Sequence, residues 1–543
     1  MTPRNLILQE RLDELLKLQK GTADRPYSIR HRLALANAYS SLGYPDLAAG
    51  DAYKALLLVD EVGEEGEYHD NALEAAVDDY QEQRGLADSD TEKVILWAKS
   101  CWLKDAYDIL ISCLIQCGCL RRAAAFIKRA SRIFPDTSAS TREALQRRLH
   151  SQSNLDSHDS TIEFTEDYPE KGLVRRELYP WNQHEPDRFS SEVLEFLNGE
   201  MKRVAPKLEV RVSELPLLSE PRLPNGEVMQ VKQLGVFAKE ELFPGEEILT
   251  EKSLLTGISR LHDSFCDACS IPLTNLNDTS AEAERRQSIT FSCEECNEAF
   301  FCSEDCHDLA QENYHPSLCG VDIDQKVSAT EAADWLYTLL LVRAMGLAET
   351  REVHPLDLKE VRYIWGDYHG LNLDEKWTPD TDPFGSLPQK LPFSFEANVL
   401  KPLHFLEKMD VNIFEQSHRY DTWVFNTLYA KFRGTASARQ GLDGRPEISA
   451  VHPLWCLANH SCDPNVSWEW NGSMRFWCRE QLVDFEGRDP NRKPGLKSGE
   501  EVFGHYCDTR LPVQERREWA MGALGGLCVC PRCVWEEAQK KGK

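Results

Sequence analysis

The chain of 543 residues is long enough for three or more domains that each bury a sizeable core. It carries 62 Lys and Arg against 89 Asp and Glu, a formal net charge of −27. This charge argues against direct nucleic-acid binding, because such binding relies on basic side chains that displace counterions. It suits a basic protein partner, and it is equally consistent with solubility alone.

The chain opens with the polar stretch Met1 to Asn5, and no cleavable signal peptide is visible. Its most apolar run, Trp335 to Ala348, is too short to span a bilayer and contains Arg343. We therefore expect no membrane association and no secretion, and residence in the nucleus, the cytoplasm or both. In such a compartment the 18 cysteines are expected to bind metal or to fill cores rather than to form disulfides.

The N-terminal part, residues 1–150, is predicted to be an α-helical region that resembles tetratricopeptide (TPR) repeats. Residues 26–60 read as a helical hairpin, with a second copy around residues 118–135. The small and aromatic positions that support these two copies are Ala36, Tyr39, Gly43, Ala48, Ala55, Gly118, Ala123, Ala130 and Pro135. Residues 151–206 are predicted to be a linker, because Ser151 to Glu166 is rich in Ser and Asp.

Beyond this linker the pattern changes to strands and then returns to helices. Leu234 to Lys239 and Pro244 to Glu247 predict a strand, a turn and a second strand. Thr330 to Leu347 and Asn398 to Tyr429 have the apolar periodicity of helices, on either side of a Pro- and Asp-rich loop from Trp377 to Pro388.

A dense set of potential metal ligands lies between these regions. Its four consecutive pairs are Cys266 and Cys269, Cys293 and Cys296, Cys302 and Cys306, and His315 and Cys319. Eight ligands are the number that two closed tetrahedral zinc sites require. His307 is a rival to His315, which we prefer for its spacing to Cys319. The spacing alone leaves open whether the pairs combine sequentially or interleave.

A third set of ligands joins a polar turn to the C-terminal tail. The turn reads Asn459-His460-Ser461-Cys462-Asp463-Pro464-Asn465, and the tail contributes Cys528, Cys530 and Cys533. Four thiolates can close one tetrahedral zinc site, which would pin the tail onto the turn. Between them lies a Gly499-Glu500-Glu501 run that leads to Tyr506.

Together these motifs resemble the SET-domain lysine methyltransferases of the SMYD type, in which a MYND zinc finger interrupts the SET domain. The resemblance implies a multidomain α+β chain: a SET β-fold with an inserted MYND finger and a helical insertion, preceded by the TPR-like helical region. The implied segments are the N-terminal part of the SET domain at 207–265, the MYND finger at 266–319, the helical SET insertion at 320–420, the SET catalytic core at 421–510 and the post-SET zinc segment at 511–543.

The resemblance also assigns roles to particular residues. It implies S-adenosyl-L-methionine as cofactor, Tyr506 as the catalytic tyrosine, and Gly235, Asn426, Asn459 and His460 as cofactor-binding residues. It implies three zinc ions, of which the third is held by Cys462 and the tail cysteines. In the MYND family the ligands interleave, so that one zinc takes Cys266, Cys269, Cys302 and Cys306, and the other takes Cys293, Cys296, His315 and Cys319.

The implied activity is methyl transfer to a lysine of a histone or non-histone protein, with partner peptides at the TPR-like and MYND regions. Two departures from the family pattern favour an alternative, a catalytically weak scaffold that binds partner proteins. Gln233 replaces the first glycine of the cofactor loop, and Gly526 replaces an aromatic residue that precedes the tail cysteines. A zinc-based reader of DNA is disfavoured by the charge of −27 and the lack of a basic recognition helix.

Overall fold

The structure is a computed structural model of the chain. It describes residues 3–86, 90–135, 138–153, 167–175, 178–218, 230–259, 264–273, 290–323, 327–328, 330–366, 389–441 and 444–541. The predicted loop from Trp377 to Pro388 and most of the Ser- and Asp-rich stretch before residue 167 lie outside these ranges.

The described helices, in chain order, are α1 Pro3–Asp24, α2 Ile29–Ser41, α3 Pro45–Gly63, α4 His69–Arg84, α5 Thr91–Trp97, α6 Leu103–Cys117, α7 Leu120–Ile133, α8 Ser138–Ser153, α9 Ser191–Val204, α10 Glu304–Asn313, α11 His315–Leu318, α12 Ala332–Thr350, α13 Lys359–Arg362, α14 Lys401–Lys408, α15 Thr422–Phe432, α16 Val513–Leu524 and α17 Pro531–Lys541. Among the residues that the structure describes, no helix is both long enough and apolar enough to cross a bilayer.

The described strands are β1 Lys171–Arg175, β2 Leu208–Pro216, β3 Gln230–Ala238, β4 Glu247–Glu251, β5 Thr256–Ile258, β6 Phe291–Ser292, β7 Phe300–Phe301, β8 Gln389–Ser394, β9 Ser437–Gln440, β10 Pro446–Ala450, β11 Asn459–His460, β12 Val466–Trp470, β13 Met474–Cys478 and β14 Phe503–Gly504. They form small sheets in which β1 pairs with β8, β2 with β3, β6 with β7 and β11 with β14, while β13 lies between β12 and β4, and β10 between β5 and β9.

The chain divides into two compact units. The first comprises Met1–Trp181 and Glu375–Thr427, and the second comprises Asn182–Asp374 and Leu428–Lys543. This division corrects two predicted boundaries. The helical insertion at 320–420 is shared between the units, and the predicted linker at 151–206 contains the strand β1 and the helix α9.

In the first unit, helical hairpins form where the sequence predicted them. Gly43 ends the hairpin helix α2 and Gly118 ends α6, and both adopt the left-handed backbone, with φ of 80° and 85°, that glycine reaches without steric cost. Ala36 and Ala48 are fully buried, as expected where α2 and α3 approach closely. The helices are thus present, and their classification as TPR repeats remains a prediction.

Buried polar contacts tie the later part of the chain into this first unit. The ammonium of Lys54 lies 3.4 Å from a carboxylate oxygen of Asp421, and the phenol of Tyr39 donates to the other oxygen at 3.2 Å. Arg32 donates to Asp51 at 3.0 Å and to the carbonyl oxygen of Phe414 at 3.1 Å. Because buried charges need such partners, residues around 414–421 pack with α2 and α3 rather than forming an insertion of their own.

The second unit is built around one apolar core beneath β2, β3, β4, β12 and β13. Helix α9 covers part of it with Val193, Leu197 and Met201, since these positions lie four residues apart on one helical face. Ser190 begins this helix as its N-cap and accepts a hydrogen bond from the Val193 N–H at 3.2 Å. The apolar face of α9 explains why the predicted linker is structured here.

His452, in the same core, makes the stability of the second unit pH-dependent. Its ring lies 5.5 Å from that of Trp470, and burial lowers its pKa to about 3. An unfolded histidine titrates near 6.5, so below that pH the unfolded chain binds more protons and stability falls with falling pH. Between pH 6.5 and pH 5 we expect the free energy of unfolding to fall by about 2 kcal/mol through this group.

Chemical denaturation at pH 7 and pH 5, followed by tryptophan fluorescence, tests this with the variant His452→Gln, which cannot titrate. Groups other than His452, including any metal ligands, contribute equally to both proteins, so the difference between their pH responses isolates His452. An equal loss of stability in the two proteins contradicts the expectation.

Candidate active site and metal centres

The predicted catalytic turn is fastened to the segment that leads to Tyr506. Strand β11 pairs in parallel with β14, which places Asn459 opposite Phe503. The buried amide of Asn465 donates to the carbonyl oxygen of Glu501 at 2.8 Å and accepts from the N–H of Phe503 at 2.8 Å. Because both ends of this amide are engaged, the turn and the segment keep a fixed register.

Asn459 lies where the turn meets the strand that carries Gly235. Its amide nitrogen donates to the carbonyl oxygen of Leu234 at 3.1 Å and to a carboxylate oxygen of Glu501 at 2.7 Å. A Cβ atom at Gly235 would lie 2.5 Å from the same carboxylate oxygen, closer than side chains approach in proteins. A side chain at this position would therefore displace the Glu501 carboxylate, and the role of Gly235 in cofactor binding remains a prediction.

Glu501 is a residue of this site to which the sequence analysis assigned no role. Its second carboxylate oxygen accepts from the hydroxyl of Ser213 at 3.0 Å, and burial raises its pKa. Ser213 lies opposite Gln233 in the pairing of β2 with β3. In the sequence, Glu501 is marked by its place as the second glutamate of the Gly499-Glu500-Glu501 run. That run supports the family resemblance but does not indicate the partners of Glu501.

The side chains of His460 and Tyr506 lie against each other, with ring centroids 5.1 Å apart. The Nδ1 atom of His460 accepts from the backbone N–H of Tyr506 at 3.0 Å, and the phenol of Tyr506 donates to the carbonyl oxygen of Ala458 at 2.9 Å. Burial lowers the pKa of His460 to about 4 and raises that of Tyr506. Near neutral pH the imidazole is therefore uncharged and the phenol is protonated.

The four cysteines predicted to pin the tail come together in the structure. The sulfur atoms of Cys462, Cys528, Cys530 and Cys533 all lie within 4.8 Å of one another, and those of Cys462 and Cys533 are 3.4 Å apart. Thiolates around a tetrahedral zinc lie about 3.8 Å apart, so this group fits the ion. Arg532 adds a second link, since it donates to the carbonyl oxygen of Cys462 at 2.8 Å.

Two further residues surround this cluster. Cys507 is a buried fifth thiol that lies within 4.8 Å of both His460 and Cys462. The buried guanidinium of Arg516 donates to the sulfur of Cys533 at 3.7 Å and to Glu536 at 2.7 Å. A cation beside the sulfur favours its thiolate form, which is the form that binds metal.

The eight ligands of the predicted MYND finger form two groups in the interleaved arrangement. Cys266, Cys269, Cys302 and Cys306 make one group, and Cys293, Cys296, His315 and Cys319 make the other. Neighbouring ligand atoms are 3.6–3.8 Å apart, as between Cys302 and Cys306 or between Cys296 and the Nε2 atom of His315. Both groups therefore fit tetrahedral zinc, and a sequential pairing does not match the geometry.

His307, the rival ligand, lies outside both groups. Its Nδ1 atom is 3.0 Å from a carboxylate oxygen of Asp308, and its ring packs edge-on against Phe301. His315 instead begins the short helix α11, which carries it into the second group.

Asn426 does not share a unit with the other proposed cofactor residues. It belongs to the first unit, whereas Gly235, Asn459 and His460 belong to the second. Its buried amide donates to Asp46 at 2.8 Å and accepts from Asn398 at 2.9 Å. These hydrogen bonds give Asn426 a structural role within the first unit.

Gly526 lies against the backbone of the segment that follows β2. A Cβ atom at Gly526 would lie 2.2 Å from the carbonyl oxygen of Leu218 and 2.6 Å from its carbonyl carbon. The aromatic residue that the family pattern has at this place would collide with that backbone. Trp519, in the preceding helix α16, is 58% exposed.

We therefore expect Gly526→Phe, which restores the aromatic residue of the family pattern, to destabilise the second unit by about 2–3 kcal/mol. The reason is that the tail or the Leu218 segment must move to make room for the ring. The matched control is Gly522→Ala in helix α16, where a new Cβ atom meets nothing within 4 Å and should stabilise the helix slightly. Thermal unfolding of the two variants checks the pair. Equal unfolding temperatures would contradict the close approach of Leu218.

Comparison with known proteins supports the resemblance over a short stretch. The chain is 30% identical over 101 residues to a SET and MYND domain-containing protein of Dictyostelium discoideum, which is 18% of this chain and 17% of the relative. It is 32% identical over 88 residues to SET domain and MYND-type zinc finger protein 6 of Schizosaccharomyces pombe, 16% of each chain. It is 28% identical over 92 residues to human N-lysine methyltransferase SMYD2, 17% of this chain and 18% of the relative.

These matches therefore span less than a fifth of the length of the curated relatives. No family model matches the chain.

Proposed function

We propose that the chain, which is similar over less than a fifth of its length to SET and MYND proteins of the SMYD type, is a protein-lysine N-methyltransferase that uses S-adenosyl-L-methionine. The observation that carries this proposal is the convergence of Asn459, His460 and Tyr506 beside Gly235 in the second unit. The substrate is a protein with an exposed lysine, from a histone or another protein.

The side chains around Asn459 fit the methionine part of the cofactor. Its amide nitrogen donates to two acceptors, Leu234 and Glu501, which use both of its hydrogens. The carbonyl oxygen of the same side chain is then the group available to a ligand, and it suits an ammonium. The absence of a side chain at Gly235 leaves room for the Glu501 carboxylate, which orients the Asn459 amide.

When bound, S-adenosyl-L-methionine supplies a methyl group activated by the positive sulfur. The residues of the chain have to receive a neutral lysine amine, since an ammonium has no lone pair to attack the methyl carbon. A free lysine is neutral about once in a thousand at pH 7.4, a cost of about 4 kcal/mol. Apolar, half-buried surroundings at Tyr506 reduce that cost, because desolvation disfavours the charged amine.

Tyr506 contributes position rather than proton transfer. Its phenol hydrogen is engaged by the carbonyl oxygen of Ala458, which fixes the ring and leaves the phenol oxygen able to accept from an incoming amine. Its backbone N–H holds His460 as a neutral ring. Such alignment of the reacting groups removes much of the entropic barrier.

The three ligand groups would hold three zinc ions with a structural role. Each group supplies four protein ligands, which leaves no open position for water or substrate. The tail group connects the turn with Asn459 and His460 to helices α16 and α17, so that zinc there supports the shape of the site.

Incubation of the purified full chain with labelled cofactor and a lysine-peptide library, including histone peptides, tests the activity. We expect methylation by the wild type and a loss of at least 100-fold with Tyr506→Phe. If no peptide or protein is methylated, or if Tyr506→Phe methylates as well as the wild type, the proposal fails.

A second candidate, a scaffold that binds partner proteins without efficient catalysis, is favoured by Gln233 and by the close contact between Gly526 and Leu218. Thermal unfolding with S-adenosylhomocysteine separates the two. Ligand at 100 times its dissociation constant adds about 2.7 kcal/mol of stability to a protein that binds it. An unchanged unfolding temperature at high ligand concentration favours the scaffold.

A further inference from the structure

One segment of the first unit reverses the acidic character of the chain. Residues 1–119 contain 12 Lys and Arg against 21 Asp and Glu, whereas residues 120–153 contain eight against two. This basic segment corresponds to the adjacent helices α7 and α8. A local excess of positive charge in a chain with a net charge of −27 calls for a physical explanation.

The basic residues of these helices point to solvent because the apolar residues point inwards. Helix α7 buries Leu120, Ala123, Phe126, Ile127 and Ala130 on one side. The opposite side of α7 exposes Lys128, Arg129 and Arg132, and the adjacent helix α8 exposes Arg142, Arg147 and Arg148; we term these six cations the basic face.

Within the part of the chain that the structure describes, the cations of the basic face form no ion pair, and Arg129 has an electrostatic interaction with the Asp60 carboxylate. Some other cations of the first unit are paired, as Arg25 and Arg30 are with Glu82. Arg142 instead donates to the hydroxyl of Ser131 at 3.2 Å, which links the two helices. The basic face is therefore a supported, exposed array of positive charge whose electrostatic potential is not neutralised by its neighbours.

We propose that the basic face binds an acidic peptide segment of a partner protein. Its cations complement a short run of Asp and Glu side chains, and Arg supplies paired hydrogen bonds to carboxylates. Two packed helices hold these cations in place, so the cations lose little conformational freedom when they bind the peptide. The site is independent of the proposed methyl transfer.

The surroundings of the basic face favour a peptide over two other polyanions. Helix α7 has 14 residues and is about 20 Å long. A nucleic acid bound to it would extend beyond the helix, and the rest of the chain is acidic. Screening limits attraction by the basic face to about 8 Å in physiological salt. A membrane surface is disfavoured because the apolar side of α7 is buried and cannot enter a bilayer.

Fluorescence anisotropy with the full chain and a labelled oligoglutamate peptide tests the proposal. The triple variant Lys128→Glu, Arg132→Glu and Arg147→Glu should weaken binding at least tenfold, which corresponds to about 1.4 kcal/mol. Wild-type binding should weaken as sodium chloride is raised, because salt screens exposed charges.

The matched control is Lys17→Glu, Lys20→Glu and Lys93→Glu, which makes the same change in net charge at exposed positions of α1 and α5. It should leave the peptide affinity within about twofold. If both triple variants weaken peptide binding equally, the effect is due to the net charge of the chain alone, and the proposal is overturned. Tighter binding of single-stranded RNA or of phosphatidylserine vesicles through the same three residues would also overturn it.

Discussion

Replacement of Cys533 by serine is expected to lower the zinc content of the purified protein by one ion per chain. The sulfur of Cys533 is fully buried and lies 3.4 Å from that of Cys462, so its loss removes one of four ligands from the tail group. Structural zinc sites contribute about 10–16 kcal/mol, so we expect helices α16 and α17 to lose their attachment to the turn. Metal analysis by mass spectrometry and amide hydrogen exchange of residues 511–541 measure both effects.

The control for this prediction is Cys478→Ser, which removes an equally buried cysteine of strand β13 that belongs to no ligand group among the described residues. It should retain the full zinc content and lower stability only modestly. If both variants keep the same amount of zinc as the wild type, the tail cysteines do not form a metal site.

The metal-ligand groups show what spacing in a sequence can predict. Pairs of ligands two to four residues apart are brought together by local turns alone, and the structure joins those pairs in the interleaved arrangement. The choice between His307 and His315 depends on more than spacing. It depends on the turn at Tyr314, which ends α10 and directs His315 into the second group.

The division into units could not be read from the sequence pattern. Apolar periodicity predicted helices near Asn398 to Tyr429 and the structure has them, but periodicity does not reveal which part of the chain they pack against. That choice is made by long-range polar contacts such as Lys54 with Asp421 and Asn426 with Asp46. For the same reason the motif around Asn426 suggested a cofactor ligand, whereas its amide is engaged inside the first unit.

Glu501 illustrates a different limit. A glutamate in a family motif carries no sign of its partners, and only the pairing of β11 with β14 brings its carboxylate to Asn459. The Glu501 carboxylate fixes the orientation of the side-chain amide of Asn459, which the sequence predicts to bind the cofactor. On strand β3, Gly235 lies beside this pair.

Gly235→Ala is expected to weaken the binding of S-adenosylhomocysteine by about 100-fold, or about 2.7 kcal/mol. The added methyl group would lie 2.5 Å from a carboxylate oxygen of Glu501 and 3.1 Å from the amide nitrogen of Asn459. The carboxylate must shift away from the added methyl group, which disturbs its 2.7 Å hydrogen bond with Asn459 and thereby the orientation of the Asn459 oxygen. Isothermal titration calorimetry measures the affinity directly.

The same substitution at Gly504 provides the control, because its new Cβ atom would meet only Phe476 at an ordinary contact distance of 3.8 Å. Gly504→Ala should therefore retain the affinity, although Gly504 belongs to the strand that pairs with Asn459 and His460. Gln233→Gly completes the comparison, since a gain in affinity is expected if that side chain crowds the cofactor. Equal affinities of the Gly235 and Gly504 variants would mean that the Asn459 and Glu501 pair does not form the cofactor site.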